Sequence, residues 1–152
     1  MNRIQLALNV SNLDEAVDFY SRLFKAVPAK RRPGYANFAI DEPPLKLVLI
    51  ENGGEPGSIN HLGVEVFSTQ EVTEANEYLL NEGFVTEVEE GTTCCYALQN
   101  KVWVEGPDKS RWEIYTVLSD APNSDTVAGD NSCCTSASTD ELVNSIPTPA
   151  CC

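Results

Sequence analysis

The residues with the most distinctive chemistry in this sequence are its cysteines. All six occur as adjacent pairs, Cys94-Cys95, Cys133-Cys134 and Cys151-Cys152. Neighbouring Cα atoms lie about 3.8 Å apart, which is closer than a relaxed disulfide prefers. We therefore expect each pair to offer two thiols side by side, an arrangement that suits a soft, thiophilic metal or metalloid.

The pair Cys94-Cys95 lies inside the folded part of the sequence, where its conformation decides its chemistry. In a regular strand the two thiols would point to opposite faces and could not share one centre. Gly91-Thr92-Thr93 before the pair and Asn100 after it favour a loop instead. The alternative interpretation is that one cysteine packs in the core, because free cysteine is among the most buried residue types.

The one histidine, His61, begins a segment that repeats an earlier one. The segment HLGVEV from His61 and the segment QLALNV from Gln5 align at an offset of 56 residues (61 − 5) with coincident apolar positions. Side chains alternate between the faces of a strand, so Gln5 and His61 are predicted to lie on one concave face, beside the small Ala7 and Gly63.

A third polar side chain, Glu113, is predicted to face the same cavity from the last strand, Arg111 to Val117. An amide oxygen, an imidazole and a carboxylate suit a first-row divalent ion, and three protein ligands leave positions open for substrate or water. The alternative interpretation is that His61 is a half-buried structural residue and Glu113 a solvent-exposed strand residue, with no metal site. The position matching Glu113 in the first half is predicted to be Leu47, which leaves a symmetric site without its fourth ligand.

The elements around these residues form two similar halves. Each half begins with the matched strand, and a helix with a capping-box start follows, Asn12 with Glu15 and then Ser68 with Glu71. Further strands are predicted at 29–32, 35–40 and 45–50, and then at 84–88, 93–98, 101–105 and 111–117. The fold class is therefore α+β, with two tandem βαβββ modules and a sheet that curves around a site.

Composition limits the environment and the partners. The chain has 152 residues and a net charge of -13, which disfavours nucleic acid and anionic membranes. No apolar run is long enough to span a bilayer, and the N-terminus has no secretory signal, so a cytoplasmic protein is expected. One domain is predicted at 1–118, with modules at about 1–52 and 57–118, and residues 119–152 are predicted to be a disordered, acidic, cysteine-containing tail.

The matched QLALNV and HLGVEV segments, the paired modules and Glu113 within RWEIYTV resemble the glyoxalase/bleomycin-resistance/dioxygenase superfamily, which has the vicinal oxygen chelate fold. Within it, RPGYANFAI, LKLVLIE, NHLGVEV, GTTCCYA and KVWVEGP look like the branch of carbon-arsenic lyases, organoarsenical demethylases that include cadmium-induced proteins. The resemblance covers residues 1 to about 118.

This resemblance implies an Fe(II) site held by Gln5, His61 and Glu113, with dioxygen as co-substrate. It implies that Cys94 and Cys95 bind trivalent arsenic in a mobile loop, with Tyr96 and a loop lysine, Lys101, as catalytic residues. It also implies cleavage of the carbon-arsenic bond of a small trivalent organoarsenical, either by demethylation of methylarsenite to arsenite and formaldehyde or by removal of the aryl group of a trivalent aromatic arsenical to give arsenite. A monomer and a weak homodimer are both compatible with two modules in one chain.

Three other functions remain open at this point. A sequestration protein would bind cadmium or arsenite through its thiols without chemistry. A glyoxalase-type isomerase or thiol transferase would be expected to complete a fourth protein ligand, and a drug-binding module of the bleomycin-resistance type would leave the three candidate ligands without a purpose. The pairs Cys133-Cys134 and Cys151-Cys152 have no assigned role, although they would raise the local thiol concentration.

Overall fold

The computed structural model describes residues 1–121. The elements, in chain order, are β1 (Arg3–Val10), α1 (Leu13–Phe24), β2 (Lys30–Arg32), β3 (Tyr35–Ile40), β4 (Leu45–Glu51), β5 (Ile59–Glu65), α2 (Thr69–Asn81), β6 (Thr86–Cys94), β7 (Ala97–Glu105) and β8 (Arg111–Asp120). The predicted α+β fold of two tandem βαβββ modules is confirmed.

All eight strands belong to one sheet, in the order β2-β3-β4-β1-β5-β8-β7-β6. The first strands of the two modules, β1 and β5, pair antiparallel at the centre, and each also pairs in parallel with the last strand of its own module. The sheet curls so far that the turn after β6 contacts residues near the other edge, where the ring centroids of Tyr35 and Tyr96 are 5.9 Å apart.

Both helices begin as the sequence predicts. The Asn12 side chain accepts a hydrogen bond from the Glu15 backbone N–H, and the Ser68 hydroxyl accepts one from that of Glu71, so a polar cap satisfies each helix start.

The helices cover the convex face of the sheet. Apolar side chains of α1, led by Leu13 and Val17, pack on Leu6, Leu8 and Val10. The opposite side chains of β1, Gln5, Ala7 and Asn9, are buried on the concave face. The predicted alternation is therefore confirmed, and it leaves the concave face lined with polar groups.

Three strand predictions are wrong in detail. The strands expected at 84–88, 93–98 and 101–105 are two longer strands, β6 and β7, because only Cys95 and Tyr96 form a turn between them. The residues that were expected to favour a loop, Gly91, Thr92, Thr93 and Asn100, lie within these strands. Strand β8 continues beyond Val117 to Asp120. Gly63 on β5 pairs with Glu113 on β8. The first-module equivalent of Gly63 is Ala7, which pairs with Val48 on β4. The counterpart of Glu113 is therefore Val48 and not Leu47, which is buried under α1.

Neither helix in the part of the chain that the structure describes has both the length and the apolar character needed to cross a membrane. The predicted disorder of the tail and the pairs Cys133-Cys134 and Cys151-Cys152 lie outside the described residues.

Candidate functional site

The concave face of the sheet encloses a cavity of about 290 Å³. All three candidate metal ligands line it, Gln5 from β1, His61 from β5 and Glu113 from β8, and Cys95 lines it as well. Each ligand side chain is at least 95% buried. The structure therefore brings the predicted ligands and one of the predicted arsenic-binding cysteines to one cavity.

The polar ends of the three candidate ligands converge on one point. Nε2 of Gln5 lies 3.0 Å from Nε2 of His61, and this His61 atom lies 3.3 Å from Oε1 of Glu113. The Gln5 amide also donates a hydrogen bond to Oε1 of Glu113. A half-turn of the Gln5 amide would present its Oε1 at the same point, so the triad can offer two oxygen donors and one nitrogen donor.

The spacing of these donors fits a small divalent ion. Nitrogen and oxygen donors lie about 2.0–2.2 Å from such an ion, so donors at right angles are about 3 Å apart. Among residues 1–121, no group of three or more histidine, cysteine, aspartate or glutamate side chains is arranged to hold a metal. The candidate centre therefore depends on the amide of Gln5 as its third donor.

A small residue beside the triad permits this convergence. A Cβ atom at Gly63 would lie 2.9 Å from Cγ of Glu113 and 3.0 Å from its backbone oxygen. Val48, the first-module counterpart of Glu113, lines the cavity at the position that a fourth ligand would occupy in a symmetric site. The site thus has three protein donors and an apolar wall.

Lys101 is an ion-pair partner of the candidate ligand Glu113. It was predicted to be a loop lysine, but it lies within β7 and its side chain is 1% exposed. Its Nζ lies 2.8 Å from Oε2 of Glu113. Burial opposes ionisation of Glu113, but the ion pair with Lys101 is the main effect that outweighs burial, and the pKa of this carboxyl is lowered to about 2.

The outer nitrogen of His61 is held by Asn60, a residue that the sequence analysis missed. Nδ1 of His61 lies 2.7 Å from Oδ1 of Asn60, and Nδ2 of Asn60 donates to Oδ1 of Asn9 at 3.0 Å and to the Gly53 backbone oxygen at 3.3 Å. Because these donations fix the Asn60 amide, its oxygen accepts a hydrogen bond from Nδ1–H of His61. The Nε2 lone pair of His61 then faces the other two candidate ligands.

The cysteine pair lies at a tight hairpin turn, and the predicted departure from regular strand structure is confirmed. Cys94 ends β6, while Cys95 and Tyr96 have φ values of 48° and 64°. Two successive positive φ values are typical of a two-residue hairpin turn, and they bring both sulfurs to one side, with the Sγ atoms 3.6 Å apart. Cys94 is 4% exposed, and Cys95 is half-buried beside Val48 and Tyr35.

Residues of the first module hold this turn against the cavity. Nζ of Lys30 donates to the Tyr96 backbone oxygen at 2.9 Å and also contacts Asp120 at the end of β8. The Tyr96 ring lies against Tyr35 and under the Arg32 guanidinium, 5.8 Å from the ring centroid. The turn therefore forms part of the cavity wall.

Comparison with known proteins identifies the family. The sequence matches the model of the glyoxalase/bleomycin resistance protein/dioxygenase superfamily over residues 3–114. The chain belongs to this superfamily. The match spans both modules and contains all three candidate metal ligands, so the cavity described above is the concave site of a superfamily member.

Two relatives and one solved structure define the likeness further. The cadmium-induced protein CadI of Mycobacterium tuberculosis is 57% identical over 141 residues, covering 88% of this chain and 93% of the relative. A trivalent organoarsenical cleaving enzyme of Thermomonospora curvata is 54% identical over 138 residues, covering 89% of both chains. The Mn(II)-bound glyoxalase of Novosphingobium aromaticivorans shares the fold, with a TM-score of 0.57, 15% identity, and coverage of 80% of this chain and 42% of that chain.

Proposed function

We propose that this protein is an Fe(II)-dependent, dioxygen-consuming lyase that cleaves the carbon-arsenic bond of trivalent organoarsenicals and so detoxifies them. The observation that carries the proposal is that one cavity holds Gln5, His61 and Glu113 together with Cys95 of an adjacent cysteine pair. The 54% identical relative named as a trivalent organoarsenical cleaving enzyme supports the same activity.

In this proposal Gln5, His61 and Glu113 would hold the iron, Gln5 through its amide oxygen. Bound Fe(II) would supply redox chemistry with dioxygen. Asn60 keeps the His61 lone pair aimed at the centre. Lys101 holds Oε2 of Glu113 and leaves Oε1 to face the other two ligands.

The reduced forms of Cys94 and Cys95 bind the arsenic atom. Two thiolates about 2.3 Å from one thiophilic centre, the length of a zinc-sulfur bond, lie roughly 3.3–3.8 Å apart for bond angles of 90° to 109°. The 3.6 Å separation of the two Sγ atoms falls in this range. The turn then presents the organic group on arsenic to the cavity that contains the candidate metal ligands.

Tyr96 and Lys101 are the further residues of the reaction in this proposal. Tyr96 contacts Tyr35 at the cavity wall with its ring tilted by 53° to that of Tyr35, and in this proposal it limits the access of water to the reacting bond. Lys101 keeps a positive charge beside the ligand set. For methylarsenite the reaction balances as one dioxygen and one arsenical giving one arsenite and one formaldehyde, with the carbon-arsenic bond replaced by carbon-oxygen bonds.

The test is turnover by Fe(II)-reconstituted protein with Glu113→Gln as the variant. This change keeps the shape of the side chain but removes the charge of the carboxylate ligand, so arsenite and formaldehyde release is expected to fall by about 100-fold. Glu65→Gln is the matched control, because Glu65 is a buried cavity carboxylate that pairs with Arg3 and Lys46 instead. Equal turnover by both variants would contradict the proposal.

A second candidate function is sequestration of cadmium or arsenite without chemistry. The CadI relative and the adjacent sulfurs favour it. The two functions separate in Glu113→Gln, which removes turnover but leaves the thiols in place. If cells that produce this variant resist methylarsenite as well as cells that produce the unchanged protein, sequestration is the function.

We further infer that the protein acts in the cytoplasm on a small-molecule arsenical, without nucleic acid or membrane, as a monomer or weak homodimer. A reducing cytoplasm would keep the cysteine pair in its thiol form.

A further inference from the structure

The loop that joins the two modules, residues 52–58, contains the only asparagine-glycine pair of the sequence, Asn52-Gly53. In such a pair the backbone nitrogen of the second residue can attack the side-chain amide of the first, which makes asparagine amides thermolabile. Glycine permits this attack best, because it has no Cβ atom to hinder the approach and its backbone is the most permissive. The sequence therefore marks Asn52 for spontaneous chemical change.

The structure leaves the reacting groups of this pair available. Asn52 is exposed and has a φ of 61°, in the left-handed region that asparagine tolerates. Among residues 1–121, neither the Asn52 side chain nor the Gly53 backbone N–H has a hydrogen-bond partner. Gly53 is buried, but the attack occurs within the dipeptide and needs no open path from solvent.

The same glycine supports the candidate ligand His61 through Asn60. The Gly53 backbone oxygen accepts a hydrogen bond from Nδ2 of Asn60 at 3.3 Å, and Oδ1 of Asn60 lies 2.7 Å from Nδ1 of His61. Gly53 is tightly surrounded, since a Cβ atom there would lie 2.6 Å from both Oδ1 of Asn9 and Cγ2 of Ile50. The chain cannot take up an extra backbone atom here without moving the Gly53 oxygen.

We propose that Asn52 is a modification site at which spontaneous deamidation to isoaspartate moves Gly53, releases Asn60 and so changes the orientation of His61. The Gly53 nitrogen forms a bond to the side-chain carbonyl carbon of Asn52. The carbon–nitrogen bond of the amide breaks, and ammonia leaves with the proton of the Gly53 N–H. Water then opens the cyclic imide. The net reaction consumes one water and releases one ammonia, and it needs no oxidant or reductant.

The two products of imide opening differ in their effect on the loop. Opening at the main-chain carbonyl gives isoaspartate, in which the backbone runs through the former side chain and is one carbon longer. Opening at the other carbonyl gives aspartate and leaves the backbone length unchanged. Both products place a carboxylate beside Glu51, whose Oε1 is held by the Leu13 backbone N–H at 3.2 Å. Only isoaspartate forces Gly53 away from Asn60.

The test ages the untagged full chain, without added metal, in mildly alkaline buffer and measures two quantities in parallel. Peptide mapping by mass spectrometry gives the fraction of isoaspartate at residue 52. Asn37 and Asn76, in the middle of β3 and α2, are internal comparators. NMR gives the ring signals of His61, the one histidine of the chain.

We expect isoaspartate to accumulate at residue 52 at least about 10-fold faster than at Asn37 or Asn76, because strand and helix must open locally before they react. A second set of His61 ring signals should grow in proportion to the isoaspartate fraction. By chelator competition, the modified protein should bind Fe(II) about 10-fold less tightly.

Two variants separate the causes. Asn52→Gly removes the reacting amide and suits the positive φ, so it is expected to keep one set of His61 signals and its Fe(II) affinity throughout ageing. Asn52→Asp adds the charge without lengthening the backbone, and the fresh variant is expected to give the His61 signals of the unaged protein.

No excess of isoaspartate at residue 52 over Asn37 and Asn76 would overturn the modification site. Isoaspartate there with a single set of His61 signals would overturn its coupling to His61, as would the same spectral change in aged Asn52→Gly. The mapping and the spectra involve no iron, so they decide the inference independently of the proposed function. Only the loss of Fe(II) affinity rests on the proposed metal site.

Discussion

At the scale of single residues, the candidate ligand His61 is connected to the loop that joins the two modules. Asn60 links its ring to Asn9 and to the Gly53 backbone oxygen. The loop approaches closely here, because a Cβ atom at Gly53 would lie 2.6 Å from Oδ1 of Asn9 and 3.2 Å from Nδ2 of Asn60. The orientation of the imidazole therefore depends on how the modules are joined.

Removal of the Asn60 side chain is expected to weaken metal binding. Asn60→Ala leaves Nδ1 of His61 without its acceptor, and loss of such a partner typically lowers metal affinity about 10-fold to 100-fold. Competition with a chromogenic chelator measures the affinity for Fe(II). Asn60→Asp keeps an acceptor for His61 but replaces the donor to Asn9 and the Gly53 oxygen by a carboxylate oxygen, so its Fe(II) affinity should lie between those of Asn60→Ala and the unchanged protein. Equal affinities for Asn60→Ala and the unchanged protein would contradict this role.

Gly63→Ala tests the space that the triad requires. The added methyl group would press on Cγ and the backbone oxygen of Glu113, and the backbone contact cannot move away easily. We expect about 10-fold weaker Fe(II) binding, together with a loss of stability of about 1–3 kcal/mol from overpacking. Chelator competition and thermal unfolding check both effects, and unchanged metal affinity would show that Glu113 is not held as described.

The sequence could predict Gln5, His61 and Glu113 because strand alternation assigns their faces directly. It could not predict Asn60. In a regular ladder Asn60 would pair with Leu8, but Leu8 pairs with Ile59, so Asn60 is an extra residue in a β-bulge. The bulge turns the Asn60 side chain toward His61. The alternation of apolar and polar residues in the sequence does not reveal a bulge, so it could not predict this contact.

At the scale of elements, the turn that carries Cys95 and Tyr96 is held in a conformation that its residues do not favour. Left-handed backbone costs a non-glycine residue about 1–2 kcal/mol, and glycine, asparagine or aspartate normally occupies such turns. Contacts with β2, β3 and β8 offset this cost. The strand boundaries predicted from the sequence are wrong here, because none of the usual turn residues marks the end of β6.

Lys30→Met is expected to loosen the turn, since Nζ of Lys30 donates to the Tyr96 oxygen. Loss of this hydrogen bond from a charged donor lowers the free energy of local opening, so amide hydrogen exchange at Cys95 and Tyr96 should be roughly 10-fold faster. Arg31→Met is the matched control, because the neighbouring Arg31 pairs with Asp14 at the start of α1. Equal exchange rates at the turn in both variants would show that Lys30 does not hold it.

At the scale of the whole molecule, two similar modules build one asymmetric site. Gln5 and His61 occupy equivalent positions, whereas the equivalents Val48 and Glu113 differ in charge. The repeat in the sequence therefore predicted the fold and the placement of the first two candidate ligands in the cavity. The sequence repeat wrongly gave Leu47 as the first-module counterpart of Glu113. The true counterpart, Val48, follows from the pairing of strands that are distant in sequence.

Truncation tests how much of the chain the site needs. Asp120 contacts Lys30, and the Ala121 backbone N–H donates to the Tyr96 oxygen at 2.9 Å. A chain ending at Ala121 is expected to bind methylarsenite under reducing conditions within about twofold of the full chain, and one ending at Val117 about 10-fold less tightly. Calorimetry measures both, and equal loss in the two chains would assign arsenical binding to residues after Ala121.

The measurement that tests the central claim most directly is the ratio of dioxygen consumed to arsenite and formaldehyde released when Fe(II)-loaded protein meets methylarsenite. An oxygen electrode and chromatography of the products give the three quantities together. The proposed reaction predicts a ratio of one to one to one, with no product when iron or dioxygen is withheld. Tight arsenical binding with neither oxygen uptake nor arsenite release would contradict the lyase and establish a protein that sequesters arsenic through its thiols.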